Sequence, residues 1–226
     1  DIDVTINTNL RGAINLVNAC HKIGVKIFIN TGTNSEYGIK EKPMKETDVL
    51  EADNLYGITK GAATMYCQMM ARKFDFPVVT IRPFAVYGYF EEKARLVPSI
   101  ILACLKNHSM KLSKPGTVRP FLFIEDIMDA YILAIKNIDK VKGRIINIGS
   151  KKQCTISDMV AEIKKITHSP VSPTYGSVAI FQTEPPNWVY DISKAKKLLH
   201  WKPKHTLEQG LKKNVEWFKQ NLSHYE

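Results

Sequence analysis

The stretch that decides the fold class is Val25-Lys26-Ile27-Phe28-Ile29-Asn30-Thr31-Gly32-Thr33-Asn34-Ser35-Glu36-Tyr37-Gly38. An apolar run rich in β-forming residues ends there in small hydroxyl residues and glycines. A buried parallel strand opens into a loop in this way at its carboxyl end, where open α/β sheets bind ligands. We therefore predict a strand at 25–32 in a parallel sheet and a ligand-binding loop that begins at Thr33.

A second informative stretch is Tyr56-Gly57-Ile58-Thr59-Lys60, which sets a phenol and an ammonium four positions apart. Residues at i and i+4 lie on one helical face, so the charge of Lys60 would favour the ionised form of Tyr56. Tyrosine normally ionises near pH ~10 and is a poor acid–base catalyst at neutrality without such a neighbour. The spacing is what proton transfer by a tyrosine needs, although the same pair also occurs by chance on helix surfaces.

The periodicity of apolar residues predicts alternating helices and strands, which is typical of a parallel sheet flanked by helices. We predict helices over 3–23, 54–74, 94–107, 125–137, 156–167 and 207–221, and strands over 25–32, 77–82, 119–124 and 144–149. The first helix is expected to end at Gly24 and to turn inward Leu10, Ile14, Leu16, Val17 and Cys20. The last helix opens with a capping box formed by Thr206 and Gln209.

Eight motifs occur in an order that resembles the extended short-chain dehydrogenase/reductase family of NAD-dependent nucleotide-sugar epimerases, dehydratases and reductases. Each motif alone is degenerate, but the ordered set is specific and covers nearly the whole chain. The motifs are Asn9-Leu10-Arg11-Gly12, Thr33–Gly38, Tyr56–Lys60, Arg82-Pro83-Phe84-Ala85-Val86-Tyr87-Gly88, Arg119–Asp126, Asn147-Ile148-Gly149, Asp191-Ile192-Ser193-Lys194-Ala195 and Trp201-Lys202-Pro203.

The resemblance implies three catalytic residues. Tyr56 would be the acid–base that exchanges a proton with a sugar hydroxyl or carbonyl. Lys60 would lower the pKa of Tyr56 and bind the nicotinamide ribose. Thr33 takes the hydroxyl position that hydrogen-bonds the reacting oxygen; its alternative is a hydroxyl that only caps the loop.

Further residues are implied to bind cofactor or substrate. Phe84 falls where the family places backbone against the nicotinamide, and it is equally compatible with a place in the core. Asn9 would reach the cofactor or bond the helix backbone. Arg119 matches an arginine that binds the substrate diphosphate, with a surface ion pair as its alternative, and Glu184 matches an acidic residue near the nucleotide ribose. A guanidinium suits a diphosphate because its planar fork grips two oxygens at once.

The resemblance further implies NAD or NADP as cofactor, a nucleotide-diphosphate sugar as substrate and a homodimer as assembly. Family dehydratases carry an Asp-Glu pair where this chain has Asn34 and Ser35, so dehydration is disfavoured. Epimerases often carry Asn in place of Ala85 and Arg in place of Phe181, which leaves the nucleotide and the sugar open. We therefore expect an epimerase or 4-keto-sugar reductase that acts by hydride transfer at C4.

The glycine-rich turn that holds a dinucleotide pyrophosphate does not occur among the twelve glycines of the sequence. We therefore expect a fragment that lacks the amino-terminal segment, is inactive by itself, and exposes an apolar strand edge at 25–32. The expected fold is a Rossmann-like doubly wound parallel sheet, truncated at its amino end, with a smaller C-terminal α/β substrate-binding domain. Residues 1–88, with returns near 119–149, would belong to the dinucleotide-binding domain, and residues 89–226 mostly to the substrate domain.

Composition excludes several other classes of protein. The formal charge of +10 comes mostly from lysines spread along the chain, which disfavours nucleic-acid binding. A noncatalytic binding module, for RNA among other ligands, is the alternative that this charge keeps open. The four cysteines form no C-x-x-C pair, no metal-ligand spacing occurs, and no apolar run is long enough for a membrane span. We expect a cytoplasmic protein without a metal.

Overall fold

The computed structural model describes residues 1–150, 152–177 and 190–226 of the 226-residue chain. These residues divide into two compact units. The first unit contains Asp1–Phe84, Ile127–Gly149 and the described part of Val189–Lys202. The second contains Ala85–Asp126, the described part of Ser150–Trp188 and Pro203–Glu226. The assignment of dinucleotide and substrate binding to separate domains stays a prediction.

The helices and strands alternate along much of the chain. In chain order the α-helices are α1 (Ile2–Ile6), α2 (Gly12–Ile23), α3 (Leu55–Phe74), α4 (Leu96–Lys106), α5 (Ile124–Lys136), α6 (Ile138–Val141), α7 (Ile156–Thr167), α8 (Ser193–Leu199) and α9 (Leu207–Gln220). The strands are β1 (Phe28–Thr31), β2 (Val78–Pro83), β3 (Val86–Tyr87), β4 (Met110–Leu112), β5 (Val118–Arg119), β6 (Leu122–Phe123), β7 (Ile145–Ile148), β8 (Cys154–Thr155) and β9 (Pro173–Tyr175).

The first unit is built on a parallel sheet with the strand order β1-β2-β7. Parallel neighbours need a crossover connection, and α3 supplies it between β1 and β2. The central strand β2 is buried from Val78 to Arg82, as expected for a strand with helices on both faces. Among the described residues, β1 pairs on one side only, so it forms an edge of this sheet.

The helix predicted over 3–23 is present, but it contains a π-helical turn at Asn7–Arg11 between α1 and α2. It ends as predicted at Gly24, which takes the left-handed conformation with φ of 69°. One predicted core residue is wrong: Leu16 is 56% exposed, whereas its neighbour Val17 is fully buried. Leu16 lies outside the stripe formed by Leu10, Ile14 and Val17, which are three or four positions apart along the helix.

The second unit combines three short strand pairs with α4, α7 and α9. The pairs β3·β6 and β4·β9 are parallel, and β5·β8 is antiparallel. The single strand predicted over 119–124 is instead divided between β5 and β6, which pair with different partners. The core of this unit is a continuous apolar cluster that includes Ile100, Met159, Ile163, Leu211 and Phe218.

The caps of two helices in the second unit follow the sequence closely. The predicted capping box at Thr206 and Gln209 is confirmed at the start of α9. Thr155 and Asp158 cap α7 in the same way. Each box satisfies backbone N–H groups that have no partner within the helix. None of the described helices has the length and apolar character needed to cross a membrane.

Gly210 is required by the packing of α9 on β3 and β6. A Cβ atom at Gly210 would lie 2.2 Å from the Tyr87 hydroxyl and 3.0 Å from Phe123. Both side chains are buried, so neither can move aside freely. We expect Gly210→Ala to lower the free energy of unfolding by roughly 1–3 kcal/mol through overpacking, measured by urea titration. Lys219→Ala, at an exposed site on α9, is the control, and an unchanged stability of Gly210→Ala would contradict this packing.

Candidate active site

The Thr33 loop begins where β1 ends and turns at once into a short 3-10 helix, Asn34–Glu36. Thr33 is extended, its hydroxyl accepts the Ser35 N–H at 3.3 Å, and its own N–H donates to Glu36 Oε1 at 2.8 Å. Thr33 and Glu36 together form a capping box at the start of this turn. The hydroxyl of Thr33 therefore caps the turn, and its proposed contact with the reacting oxygen stays a prediction.

Tyr56 and Lys60 lie in the first two turns of α3. Asn54 caps this helix by accepting the Gly57 N–H at 2.8 Å. The Tyr56 side chain is 48% exposed, whereas Lys60 is partly buried. Burial lowers the pKa of the Lys60 ammonium, and the nearby Glu36 carboxylate opposes that shift. The helix thus presents an accessible phenol one turn before a partly desolvated ammonium.

Gly57 lets the Thr33 loop approach α3 closely. A Cβ atom at Gly57 would lie 2.2 Å from the Ser35 carbonyl oxygen and 2.8 Å from its carbon. Gly61, one turn later, faces the side chain of Glu36 at ordinary contact distance, 3.8 Å from its Cγ. The loop that carries Thr33 is therefore packed against the two turns of α3 that carry Tyr56 and Lys60.

A buried ion pair lies beneath this loop. Glu36 Oε2 accepts hydrogen bonds from Arg82 Nε at 2.9 Å and Nη2 at 2.6 Å, and both side chains are almost completely buried. The Arg82 guanidinium also stacks over the Tyr37 ring at 4.4 Å. Tyr37 in turn donates to Asn147 Oδ1 at 2.7 Å, and burial raises the pKa of Tyr37 to about 12. This network joins the Thr33 loop to β2 and β7, and the sequence analysis assigned no role to Glu36 or Arg82.

Asn9 lies in the π-helical turn and contacts α3 directly. Its Nδ2 donates to Thr59 Oγ1 at 3.3 Å. The Thr59 hydroxyl in turn donates to the backbone carbonyls of Leu55 and Tyr56 in the preceding turn of α3. This bond ties the first helix to α3 one residue before Lys60. Binding of a cofactor by Asn9 stays a prediction.

Phe84 belongs to the core of the first unit. It is 1% exposed, its ring packs edge-on against Tyr190 with centroids 4.1 Å apart, and its N–H donates to Ile148 O at 3.1 Å. The side chain therefore packs in the protein interior. Contact of its backbone with a nicotinamide stays a prediction.

Arg119 lines a cavity of about 420 Å³ in the second unit. It lies on β5, and the cavity wall also contains Arg95, Lys111, Glu91 and Ala85. Three cationic side chains in one wall create a field that favours an anionic ligand. Glu184 and Phe181 lie outside the described residues, so the structure gives no position for them.

The described residues contain no cluster of three or more His, Cys, Asp or Glu side chains that could hold a metal ion. All four cysteines are free thiols. Burial raises the pKa of Cys67 and Cys154 to about 12, which keeps both protonated and unreactive.

Comparison with known proteins shows the family. A profile of the NAD dependent epimerase/dehydratase family matches residues 1–149, and the chain belongs to this family. The chain is 29% identical over 224 residues to mouse (Mus musculus) dTDP-D-glucose 4,6-dehydratase, covering 96% of this chain and 62% of that protein.

Solved structures agree with this family in fold. UDP-glucuronic acid 4-epimerase from Bacillus cereus, in complex with UDP-glucuronic acid and NAD, is 28% identical with a TM-score of 0.88 over 96% of this chain and 68% of its own. UDP-glucose 4-epimerase from Thermotoga maritima, with UDP-glucose, is 27% identical with a TM-score of 0.90 over 98% of this chain and 72% of its own. The α/β Rossmann-like fold class is thus confirmed. The chain spans 32% and 62% of the length of the first two curated relatives.

The residues of the first unit fit the nicotinamide end of an NAD molecule. The Tyr56 hydroxyl and the Lys60 ammonium offer polar groups suited to ribose hydroxyls, and the exposure of Tyr56 leaves room for a ligand. The sequence contains no glycine-rich turn for the pyrophosphate. The fit therefore concerns only the ribose and nicotinamide.

The close approach at Gly57 provides a matched test within one helix. Gly57→Ala would force the Ser35 backbone away from α3, so we expect a loss of stability of about 1–3 kcal/mol and a displaced Thr33 loop. Gly61→Ala meets only ordinary contacts and should be neutral or stabilising by up to about 1 kcal/mol through helix propensity. Urea titration of both variants checks the difference. Equal stabilities would contradict the packing of the loop on α3.

Glu91 gives the second unit a pH-dependent stability. Burial raises the pKa of its carboxyl to about 7 from 4.5, although the Gly88 backbone and Arg95 partly oppose the shift. Because the charged form is disfavoured in the folded state, stability should fall as pH rises from about 4.5 to 7 and then level off. Glu91→Gln should abolish this pH-dependent loss of stability, which we expect to be roughly 2 kcal/mol. The figure is smaller than the full pKa shift implies because the side chain is partly exposed to solvent. Urea titrations at pH 4 and pH 8 that show the same effect of the substitution would contradict it.

Proposed function

We propose that the protein is an NAD-dependent nucleotide-sugar epimerase or 4-keto-sugar reductase that acts at C4. The observation that carries the proposal is the packing of the Thr33 loop against α3 at Gly57. That contact brings a threonine hydroxyl loop to the helix turns that carry the phenol of Tyr56 and the ammonium of Lys60. Membership of the epimerase/dehydratase family supports this assignment.

In the proposed mechanism, Tyr56 accepts the proton of the sugar C4 hydroxyl and returns a proton when the carbonyl is reduced. NAD, held at its nicotinamide ribose by Tyr56 and Lys60, would supply the acceptor and donor of the C4 hydride. Removal of hydride alone would leave a charged oxygen, so the proton transfer by Tyr56 must accompany it. Lys60 stabilises the ionised Tyr56 and binds the ribose, and Thr33 orients the sugar oxygen.

The cationic cavity of the second unit is the proposed site for the nucleotide diphosphate. Arg119 would grip two phosphate oxygens with its planar fork, and Arg95 and Lys111 would add positive charge. The two solved relatives described above contain UDP-sugars, which supports this class of ligand. Glu184 stays a proposed contact to the nucleotide ribose.

Dehydration is not proposed, although a curated relative is a 4,6-dehydratase. Elimination of water across C5 and C6 needs a positioned acid and base, which family dehydratases supply as an Asp-Glu pair. Here the corresponding residues are Asn34 and Ser35, and neither side chain can exchange a proton with carbon near neutral pH. The reaction would therefore stop at the C4 redox step.

A homodimer in the cytoplasm is the proposed state of the protein. Apolar side chains are exposed on α3, among them Ile58 at 55% and Met65 at 59%, and such a surface suits contact with a second copy. A noncatalytic binding module finds no favouring observation, because both Tyr56 and Lys60 are retained.

The test of the proposal is Tyr56→Phe in the full-length protein. We expect kcat to fall by roughly 10²-fold or more with cofactor binding nearly intact, because the substitution keeps the aromatic ring but removes the hydroxyl that exchanges the proton. Tyr175→Phe, a tyrosine of β9, is the matched control and should retain full turnover. Nucleotide sugars epimeric at C4, or reduced from the 4-keto form, are the expected products. Unchanged turnover of Tyr56→Phe, or accumulation of a 4-keto-6-deoxy sugar, would contradict the proposal.

A further inference from the structure

Glu36 is completely buried although it lies in the loop that carries Thr33. A carboxylate loses strong hydration when it is buried, so each of its oxygens needs hydrogen-bond donors within the protein. Glu36 Oε1 accepts the Thr33 N–H at 2.8 Å, and Oε2 accepts Arg82 Nε and Nη2 at 2.9 and 2.6 Å. One side chain thus links the backbone of Thr33 to the central strand of the sheet.

The glycine that precedes Thr33 shows how tightly this link is built. A Cβ atom at Gly32 would lie 2.4 Å from Glu36 Oε1 and 2.9 Å from Arg82 Cγ. The carboxylate therefore reaches the Thr33 N–H only because residue 32 has no side chain. The strand end, the loop and the ion pair form one packed arrangement.

The link acts directly on the geometry of the candidate site. With the Glu36 bond in place, Thr33 is held extended with φ of −157° and ψ of 157°, and its hydroxyl accepts the Ser35 N–H. The same loop packs on Gly57 and Gly61 of α3. A change in the direction of the Thr33 N–H would therefore move its hydroxyl relative to Tyr56 and Lys60.

We propose that Glu36 is a positioning residue that fixes the Thr33 hydroxyl for catalysis by anchoring the Thr33 backbone to Arg82. The inference rests on the proposed function, since it assigns Thr33 a role in turnover. Arg82 supplies the counter-charge that allows Glu36 to be buried, and Glu36 holds the loop. The charge of Glu36 also opposes the fall in the pKa of Lys60 that burial causes.

Two double variants with the same change at residue 82 isolate the hydrogen bond from the charge. Removal of Glu36 alone would leave a buried, uncompensated Arg82 charge and endanger folding, so Arg82→Gln is present in both. Glu36→Gln with Arg82→Gln, the amide double variant, keeps an acceptor oxygen at residue 36 for the Thr33 N–H. Glu36→Met with Arg82→Gln, the thioether double variant, has nearly the same shape at residue 36 but no oxygen acceptor. Urea titration verifies that both are folded.

The first measurement is hydrogen exchange at the Thr33 amide, which needs no activity. We expect the amide double variant to keep the protection of the unmodified protein, and the thioether double variant to exchange at least 10-fold faster at this amide. The second measurement is turnover of a nucleotide sugar with NAD, made on the full-length protein and its two double variants. The thioether double variant should lose at least 10-fold in kcat with KM nearly unchanged, and the amide double variant should stay within about 3-fold of the unmodified protein.

Equal exchange at the Thr33 amide in the two variants would overturn the anchoring by Glu36. Faster exchange in the thioether double variant with undiminished kcat would overturn the catalytic consequence. If the unmodified full-length protein turned over no nucleotide sugar, the proposed function would fail, and the exchange comparison would still decide whether Glu36 anchors Thr33. The inference is supported if the thioether double variant folds, exchanges faster at the Thr33 amide, and has a lower kcat with an unchanged KM.

Discussion

The buried charge of Arg82 constrains how the first unit can pack. Arg82 lies on the central strand of the parallel sheet and is 1% exposed. An unpaired guanidinium there would be strongly destabilising, so the surrounding chain must supply a carboxylate and further polar or aromatic partners. Glu36 provides the carboxylate and Tyr37 the aromatic face. Two consecutive loop residues are thereby fixed against β2.

The same constraint extends to the last strand of the sheet. Tyr37 donates to Asn147 on β7, and Asn147 Nδ2 donates to Met44 O at 3.0 Å. Glu46 Oε1 accepts the Asn147 N–H at 2.9 Å. A buried pair adds little net stability compared with apolar residues of the same shape, but it disfavours alternative arrangements in which its charges are unpaired. The network therefore acts mainly by holding the Thr33 loop in one conformation. A fixed geometry of this kind is what the proposed proton transfer requires.

Much of this architecture could be predicted from the sequence, because in a long helix the spacing of the apolar residues indicates which face is buried. The periodicity placed α3, α7 and α9 within one or two residues of their observed limits. Leu16 was assigned to the core wrongly, because it does not share the stripe of Leu10, Ile14 and Val17, which are three or four positions apart. The strands β3 to β6 are only two or three residues long and carry too little pattern for their limits to be recognised.

Some residues of the candidate site could likewise be predicted from local sequence, and others could not. Tyr56 and Lys60 could be found because their spacing is local to one helix, whereas Glu36 and Arg82 pair across 46 residues. A glutamate in a loop is normally solvated, so no local signal marked Glu36 as buried. The only available hint was an arginine that follows the apolar run of a buried strand, since such a charge must be paired. The π-helical turn at Asn9 likewise has no signature in local composition.

The buried Glu36 also bears on the reaction that the Thr33 loop can support. Asn34 Oδ1 accepts from the Thr33 hydroxyl at 3.3 Å, and the Ser35 N–H donates to that hydroxyl at the same distance. Carboxylates at positions 34 and 35 would place two further negative charges directly before Glu36. Like charges at this range disfavour ionisation of one another, and the Arg82 guanidinium already has Glu36 as its partner. A neutral Asn34-Ser35 pair is therefore the arrangement most compatible with a buried Glu36, and this compatibility supports the proposed C4 chemistry over elimination of water.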